Sequence, residues 1–403
     1  MTVHVLSEYE SRELRLEPDV VEILASRHSQ HLGLAPLPDS GRWLVTAKHY
    51  VGSIRAGGDS FLIRPKARLQ NLLAMMDIAI PSETWRREVV ALQTDPDLLA
   101  VMARLFCVTC EDVTMRGLRR SYVASEELLV APRGRINVAQ IARRPGLPIP
   151  VPCRFDEHTA DIPINRLLRA AVERARRIPS LAPVWKHRLR AQLVELADAV
   201  SPMNDFTWVS TWQPGPMERH YEAAVGLGHL LLRHASVRDA AGDVSTKTFL
   251  LNMNDLFEKW VTRRLAEASH DVAVIAQHKT TLGTGREIPM EPDITFWRDR
   301  RVVAVADCKY KLMRDGEGNN PDYYQALAYA TAYDLADAWL IYARFPGDPV
   351  GSTVEVRNAD RKLHTISIDL TGPMDRLVEQ VESLARKIGV TRSAPPASFC
   401  PET

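Results

Sequence analysis

The stretch VVAVADCKYKL, Val302–Leu312, decides how the last part of this chain is read. Its opening apolar run reads as a central strand buried on both faces. Side chains alternate along a strand, so Asp307 and Lys309 share one face while Cys308 and Tyr310 share the other. An acid and an amine buried at the end of such a strand cost several kcal/mol unless they pair or hold a metal. A structural salt bridge between the two is therefore one reading of this motif. Asp293, in Pro292-Asp293 on the preceding strand, lies fourteen residues before Asp307. A β-hairpin of that length brings the two carboxylates to one end of the sheet. Two hard oxygen donors there suit Mg²⁺, which retains waters for a substrate phosphate. Lys309 beside such an ion would orient or help deprotonate an attacking water and offset charge building on the phosphorane.

The flanking sequence supports a compact α/β domain. NDLFEKWVTRRLAEA (254–268) is an amphipathic helix with Leu256, Phe257, Trp260, Val261 and Leu265 on one face, and Asn252 or Asn254 caps its start. Strand-like runs follow at 271–282, 288–299 and 300–312, then a helix at 322–336 and a short apolar strand at 338–344. The expected order is α-β-β-β-α-β. Gln325 and Tyr329, four apart on the second helix, share a face. Glu258 on the first helix is placed to reach the carboxylates. Taken singly, these three residues read equally well as helix-surface or capping groups.

Upstream, WLVTAKHYVGSIRAGGDSFLIRPK (43–66) reads as paired strands around Gly57-Gly58, and QNLLAMMDIA (70–79) has helical spacing. Runs at 98–106, 164–178 and 185–200 are helical, interrupted by PGLPIPVP (145–152), which excludes regular helix. The expected fold class is α+β multidomain. It comprises an N-terminal β-rich domain (1–80), a mainly helical, basic central region (81–245), a C-terminal α/β domain (246–390) and a loose tail (391–403).

Composition is that of an ordinary soluble globular protein, 45% apolar and 25% charged over 403 residues. No run approaches the ~18 apolar residues of a membrane span, and MTVHVLSEYESRELRL lacks the pattern of a secretory signal. Cytoplasmic localisation is expected. Five scattered cysteines (Cys107, Cys110, Cys153, Cys308, Cys400) argue against a disulfide framework. The Cys107/Cys110 pair lacks a second pair for a four-ligand site and reads as core thiols. The net charge of +1 hides an asymmetry: Arg116 to Arg190 holds 16 Lys or Arg against 6 Asp or Glu. Such a region suits a polyanion, or is a solvated Arg-rich surface. No GxxxxGK[ST] occurs, so nucleotide binding by this chain is not expected.

Asp293 and the DCK of 307–309, followed by the QxxxY of Gln325 and Tyr329, resemble the RecB/Cas4-like branch of PD-(D/E)xK (restriction-endonuclease-like) nucleases. FLIRPKARLQNLLAMM (61–76), APRGRINVAQI (131–141), VPCRFDEHTADIPINRLLR (151–169) and FLLNMNDLFEKWV (249–261) narrow this. With the later motifs they are similar, in order, to the McrC family. That family supplies the nuclease subunit of the McrBC 5-methylcytosine-dependent restriction system. The resemblance implies a Mg²⁺-dependent endodeoxyribonuclease, with Mn²⁺ an acceptable substitute. Asp293, Asp307 and the backbone carbonyl of Cys308 would hold the metal. Lys309 would be the catalytic lysine, assisted by Gln325, Tyr329 and Glu258. It implies double-stranded DNA as substrate and, as partner, a McrB-like AAA+ GTPase hexamer stimulated by the N-terminal region. No membrane role is implied. A stand-alone RecB/Cas4-like nuclease and a non-catalytic adaptor that activates the GTPase are the competing readings. In the central signature, Arg133, Arg135 and Arg154 could touch phosphate or partner, or pair with Asp156, Glu157 and Asp161.

Overall fold

The computed structural model describes residues 2–38, 41–76, 78, 97–143, 149–203, 205–234, 249–269, 271–311, 320–345 and 351–390. The loose tail, Cys400 and part of the proline-rich passage lie outside them. The chain divides into two compact units, one formed by Met1–Asp77 with Leu250–Thr403, the other by Ile78–Phe249.

The chain begins with strands β1 (Thr2–Ser7) and β2 (Ser11–Leu14), helix α1 (Pro18–Arg27), and strands β3 (Leu32–Pro36), β4 (Trp43–Ala47), β5 (Tyr50–Ala56) and β6 (Asp59–Arg64). Helix α2 (Leu69–Met75) follows. The expected hairpin is β5/β6, turning at Gly57, whose φ of +56° favours glycine. The run from Trp43 nevertheless serves two sheets. β4 sits between β2 and β3, whereas β5 and β6 join β1 and β10 (Phe249–Asn252) in the order β1-β6-β5-β10. Leu6, Val20, Leu24, Ile54, Phe61 and Ile63 form their core.

The second unit contains α3 (Leu98–Met115), β7 (Ser121–Leu129), β8 (Arg135–Ile136), α4 (Val138–Ile141), β9 (Val151–Thr159), α5 (Pro163–Ala175), α6 (Pro183–Ala199) and α7 (Glu222–His234). The expected helices are α3, α5 and α6. Beside these helices the region holds a sheet that the sequence reading did not anticipate, β7-β9-β8, whose longest pairing runs Ser121↔Thr159 to Leu129↔Val151. Most of β7 is exposed on both faces, so it lacks the apolar alternation that marks a half-buried strand. Asn165 is fully buried: its amide donates to the carbonyls of Arg119 and Ala160, and its oxygen accepts from the Tyr221 hydroxyl. Cys107 and Cys110 are buried free thiols on α3, and burial pushes Cys107 up to about 12.

The basic surplus of this region is partly neutralised in place. Arg119 pairs with Glu218, Arg166 with Asp161, Arg169 with Glu173 and Arg188 with Glu111. In the central signature, Arg154 reaches Glu126 at 3.8 Å and the Arg133 guanidinium lies 3.7 Å from the Phe155 ring centroid. Asp161 is held to about 2, chiefly by its hydrogen bond from Arg166.

After β10 come α8 (Met253–Ala268), β11 (Ala273–Ala276), β12 (Thr280–Thr281), β13 (Pro289–Met290), β14 (Ile294–Arg298) and β15 (Arg301–Lys309). Then follow α9 (Asn320–Ala332), β16 (Asp337–Arg344), β17 (Gly351–Glu355), β18 (Lys362–Asp369) and α10 (Met374–Ile388). Asn252 caps α8, its side chain accepting the Asn254 N–H at 3.0 Å. Strands order as β11-β14-β15-β16-β18-β17. β14/β15 is antiparallel, and β15, β16 and β18 run parallel, with α9 connecting β15 to β16. The expected element order stopped at β16; β17, β18 and α10 occupy the rest of the expected span to 390. Short runs at 271–282 and 288–299 each break into two strands, with Gln277 at positive φ in the first break.

The N-terminal residues do not form a separate unit as the three-region reading expected. Asn71 of α2 donates to the carbonyls of Leu370 and Gly372, and the Met253 N–H bonds the His49 carbonyl. Such pairings between residues distant along the chain leave no periodic trace in sequence.

Candidate active site

Two residues of the β14/β15 hairpin bring the acids together. Ile294 pairs with Ala306, so Asp293, immediately before β14, faces the end of β15. Its Oδ2 accepts the Cys308 backbone N–H at 2.7 Å. Asp293 and Asp307 lie close enough that the charge of Asp307 raises the Asp293 pKa. Parallel pairing of β15 with β16 from Ala306 to Lys309 then fixes this strand end on its other side.

Asp307 is 2% exposed, and its Oδ2 is ion-paired with the Lys309 ammonium. Burial raises the Asp307 pKa while Lys309 opposes the rise. Asp293 is raised too, by burial first, then by the negative charges of Asp307 and Glu258. For Lys309, burial pulls the pKa down, but Asp307 outweighs it and the net shift is upward. The ammonium is therefore a firm cation. The two acids repel each other in a poorly solvated pocket, which favours a bound cation or a shared proton.

Lys309 also donates to Gln325 Oε1 at 3.0 Å, and Gln325 donates in turn to the Tyr329 hydroxyl at 2.7 Å. The Tyr329 hydroxyl lies 3.4 Å from the Glu291 carbonyl, beside Asp293. The α9 face thus ties together both sides of the hairpin. Glu258, on α8, comes near the acids but does not join them. Its Oε1 accepts from Gln277 at 2.9 Å, and burial raises its pKa.

Three further residues complete the surroundings. Gln277, at φ +49°, donates its N–H to the Asp293 carbonyl while holding Glu258. Asp322, buried in the first turn of α9, pairs with Lys311 at 2.7 Å and accepts from the Tyr342 hydroxyl. Period-two alternation from Lys309 marks Lys311, and the i, i+3 spacing to Gln325 marks Asp322, so both were within reach of sequence reasoning. Gln277 sits in a left-handed loop position and carries no such mark.

The fit to a divalent cation can be judged from the donors. The Lys309 ammonium meets Asp307 Oδ2, and two carboxyls with raised pKa lie side by side. Among the described residues no three His, Cys, Asp or Glu side chains are gathered to hold an ion. Two carboxylates, the neighbouring Cys308 carbonyl and water fit Mg²⁺, which seldom has an all-protein cage.

Residues 45–343 match a family model described as McrBC 5-methylcytosine restriction system component. The chain belongs to that family. No curated protein matches it. Among solved structures, it is similar to a half-complex of Thermococcus gammatolerans McrB AAA+ hexamers with bound McrC. Identity there is 15%, coverage is 96% of this chain and 100% of that one, and the TM-score is 0.63. At that identity the likeness concerns the fold. A second T. gammatolerans McrBC complex aligns at 17% identity over 66% of this chain and 88% of that one, with a TM-score of 0.46. Among the described residues, no helix is long and apolar enough to cross a membrane.

Proposed function

We propose that this chain is the Mg²⁺-dependent, PD-(D/E)xK-type endodeoxyribonuclease subunit of a McrBC-type restriction system, acting on double-stranded DNA with a McrB-like AAA+ GTPase hexamer. The observation that carries the nuclease reading is the convergence of Asp293, Asp307, Lys309 and Gln325 at one strand end. Membership of the McrBC family and the likeness to a chain solved with McrB hexamers support the partner.

Asp293 and Asp307, with the Cys308 carbonyl, would hold the metal. When bound, the ion supplies a Lewis acid for phosphate and lowers the pKa of water. Lys309, kept protonated by Asp307 and aimed by Gln325, would stabilise charge on the phosphate. Tyr329 keeps Gln325 oriented, and Gln277 keeps Glu258 at the margin of the site.

The test is cleavage of methylated double-stranded DNA by the purified chain, with and without a McrB-type GTPase, GTP and Mg²⁺. Cleavage that requires all of them is expected. Cleavage without partner or GTP would establish the stand-alone nuclease instead. GTPase stimulation with no cleavage under any metal would establish the adaptor.

A further inference from the structure

The turn after β1 holds the residue next to Lys309 at two points. Glu8 is fully buried, and its Oε2 accepts from the Lys66 backbone N–H at 2.7 Å and from the Tyr310 hydroxyl at 2.9 Å. The neighbouring Tyr9 hydroxyl donates to the Tyr310 backbone carbonyl. One residue therefore grips the side chain of Tyr310 and the next grips its main chain.

The surroundings make this grip stiff. Tyr310 is 3% exposed, with Phe257 of α8 at 5.9 Å and Phe345, just past β16, at 5.7 Å between ring centroids. The Lys66 ammonium lies 5.8 Å from the Tyr9 ring centroid and 5.6 Å from that of Phe345. Two features of this turn are unfavourable in isolation. Tyr9 has φ +59°, a region costing an aromatic residue about 1–3 kcal/mol. Glu8 Oε1 is buried without a hydrogen-bond partner, beside donors that use only the other oxygen.

We propose that Glu8 and Tyr9 are positioning residues for Lys309: by fixing Tyr310 at its hydroxyl and its carbonyl, they set where the Lys309 ammonium lies between Asp307 and Gln325. This rests on the nuclease reading above. Neither residue touches the acids, so both act through Tyr310. The sheet β1-β6-β5-β10 then frames the site twice, through this turn and through β10, which leads directly into the helix that carries Glu258.

The experiment uses the full chain with a McrB-type GTPase, Mg²⁺ and methylated DNA, and the variants Glu8→Ala, Glu8→Gln and Tyr9→Phe. Single-turnover cleavage at saturating DNA is measured beside DNA affinity, GTPase stimulation and melting temperature. In parallel, labelling of Lys309 by an amine-reactive ester is mapped by peptide mass spectrometry. A displacement near 1 Å in a catalytic group can lower rate by about 10²-fold, so Glu8→Ala and Tyr9→Phe are expected to lose roughly 10- to 100-fold in rate. DNA affinity and GTPase stimulation stay near wild type, Lys309 labels faster, and Glu8→Gln, which keeps an acceptor for both donors, restores rate and protection. Folded variants with wild-type cleavage and wild-type labelling would overturn the proposal. So would parallel loss of cleavage, DNA binding and GTPase stimulation. Should the wild-type chain itself fail to cleave, the nuclease reading falls, and Lys309 labelling alone then decides whether Glu8 and Tyr9 position it.

Discussion

The Cys308 backbone N–H donates to the Asp293 carboxylate at 2.7 Å, pinning the residue between Asp307 and Lys309 to the opposite strand. The carboxylate that is proposed to bind metal thus also sets the register of the hairpin end. This dual role separates the two acids experimentally. Asp307→Ala is expected to lower cleavage by about 10²–10³-fold or more while leaving GTPase stimulation intact. Asp293→Asn keeps an oxygen for Cys308 and should show the same separation. Equal loss of cleavage, partner binding and GTPase stimulation in Asp307→Ala would make Asp307 structural.

Metal binding should be visible without catalysis. Two adjacent carboxyls with raised pKa, one buried and one half-buried, disfavour each other's ionisation, and a divalent cation relieves that penalty. A ligand bound only by the native state stabilises by RT ln(1 + [L]/Kd), about 2.7 kcal/mol at a hundredfold excess over Kd. Mg²⁺ is therefore expected to raise the melting temperature of wild type and EDTA to reverse it, with the shift abolished in an Asp293→Asn/Asp307→Asn double variant. A shift that persists in that variant would place the ion elsewhere.

Gln325 is the hinge of the lysine's second contact. Gln325→Leu removes the acceptor from Lys309 and the donor to Tyr329, two bonds worth about 1 kcal/mol each in stability. Cleavage is expected to fall by roughly tenfold, since Lys309 keeps Asp307 but loses its direction. Tyr329→Phe should lose less, because Gln325 remains free to hold Lys309. A Gln325→Leu protein that cleaves at the wild-type rate would remove Gln325 from the site.

Sequence alone placed these residues because their signals are local. Alternation put Asp307 and Lys309 on one face, hairpin length brought Asp293 to them, and helical spacing aligned Gln325 with Tyr329. Glu258 followed the same logic of proximity, but its direction depends on Gln277, a loop residue in a left-handed conformation. Glu8 and Tyr310 lie 302 residues apart and carry no pattern at all. The β7-β9 ribbon was missed for another reason: a strand exposed on both faces, such as Tyr122–Glu127, lacks the apolar alternation that reveals a strand.

Asn165 tests the second unit independently of any activity. Asn165→Ala deletes two donors and one acceptor inside the core: the Arg119 carbonyl loses this donor, while the Ala160 carbonyl keeps the Ile162 N–H and the Tyr221 hydroxyl keeps the Arg119 N–H. Each buried group left unpaired costs about 1–3 kcal/mol, part of which relaxation and water recover, so a loss of that order is expected in urea unfolding. Asn165→Asp, which sets a carboxylate oxygen against the Arg119 and Ala160 carbonyls in the core, should lose at least as much as Asn165→Ala. An unchanged midpoint in Asn165→Ala would mean that these groups find water.

Stability should also fall as pH rises, through Glu8. Burial lifts its carboxyl from 4.5 to about 7, against the opposing hydrogen bonds from Lys66 and Tyr310. A carboxyl whose folded pKa is raised binds its proton more tightly in the folded state. Its contribution is complete below about pH 4.5 and is lost progressively as pH climbs to about 7. The full difference corresponds to roughly 3 kcal/mol at about 1.4 kcal/mol per pH unit, an upper bound because partial solvation on ionisation reduces it. Glu8→Gln mimics the protonated acid at every pH, so above pH 7 it should unfold at a higher temperature than wild type, and the two should converge towards pH 5. Melting curves collected from pH 5 to pH 8.5 decide this. A wild-type advantage at pH 8 would mean that Glu8 is held ionised, with Lys66 supplying the compensating charge.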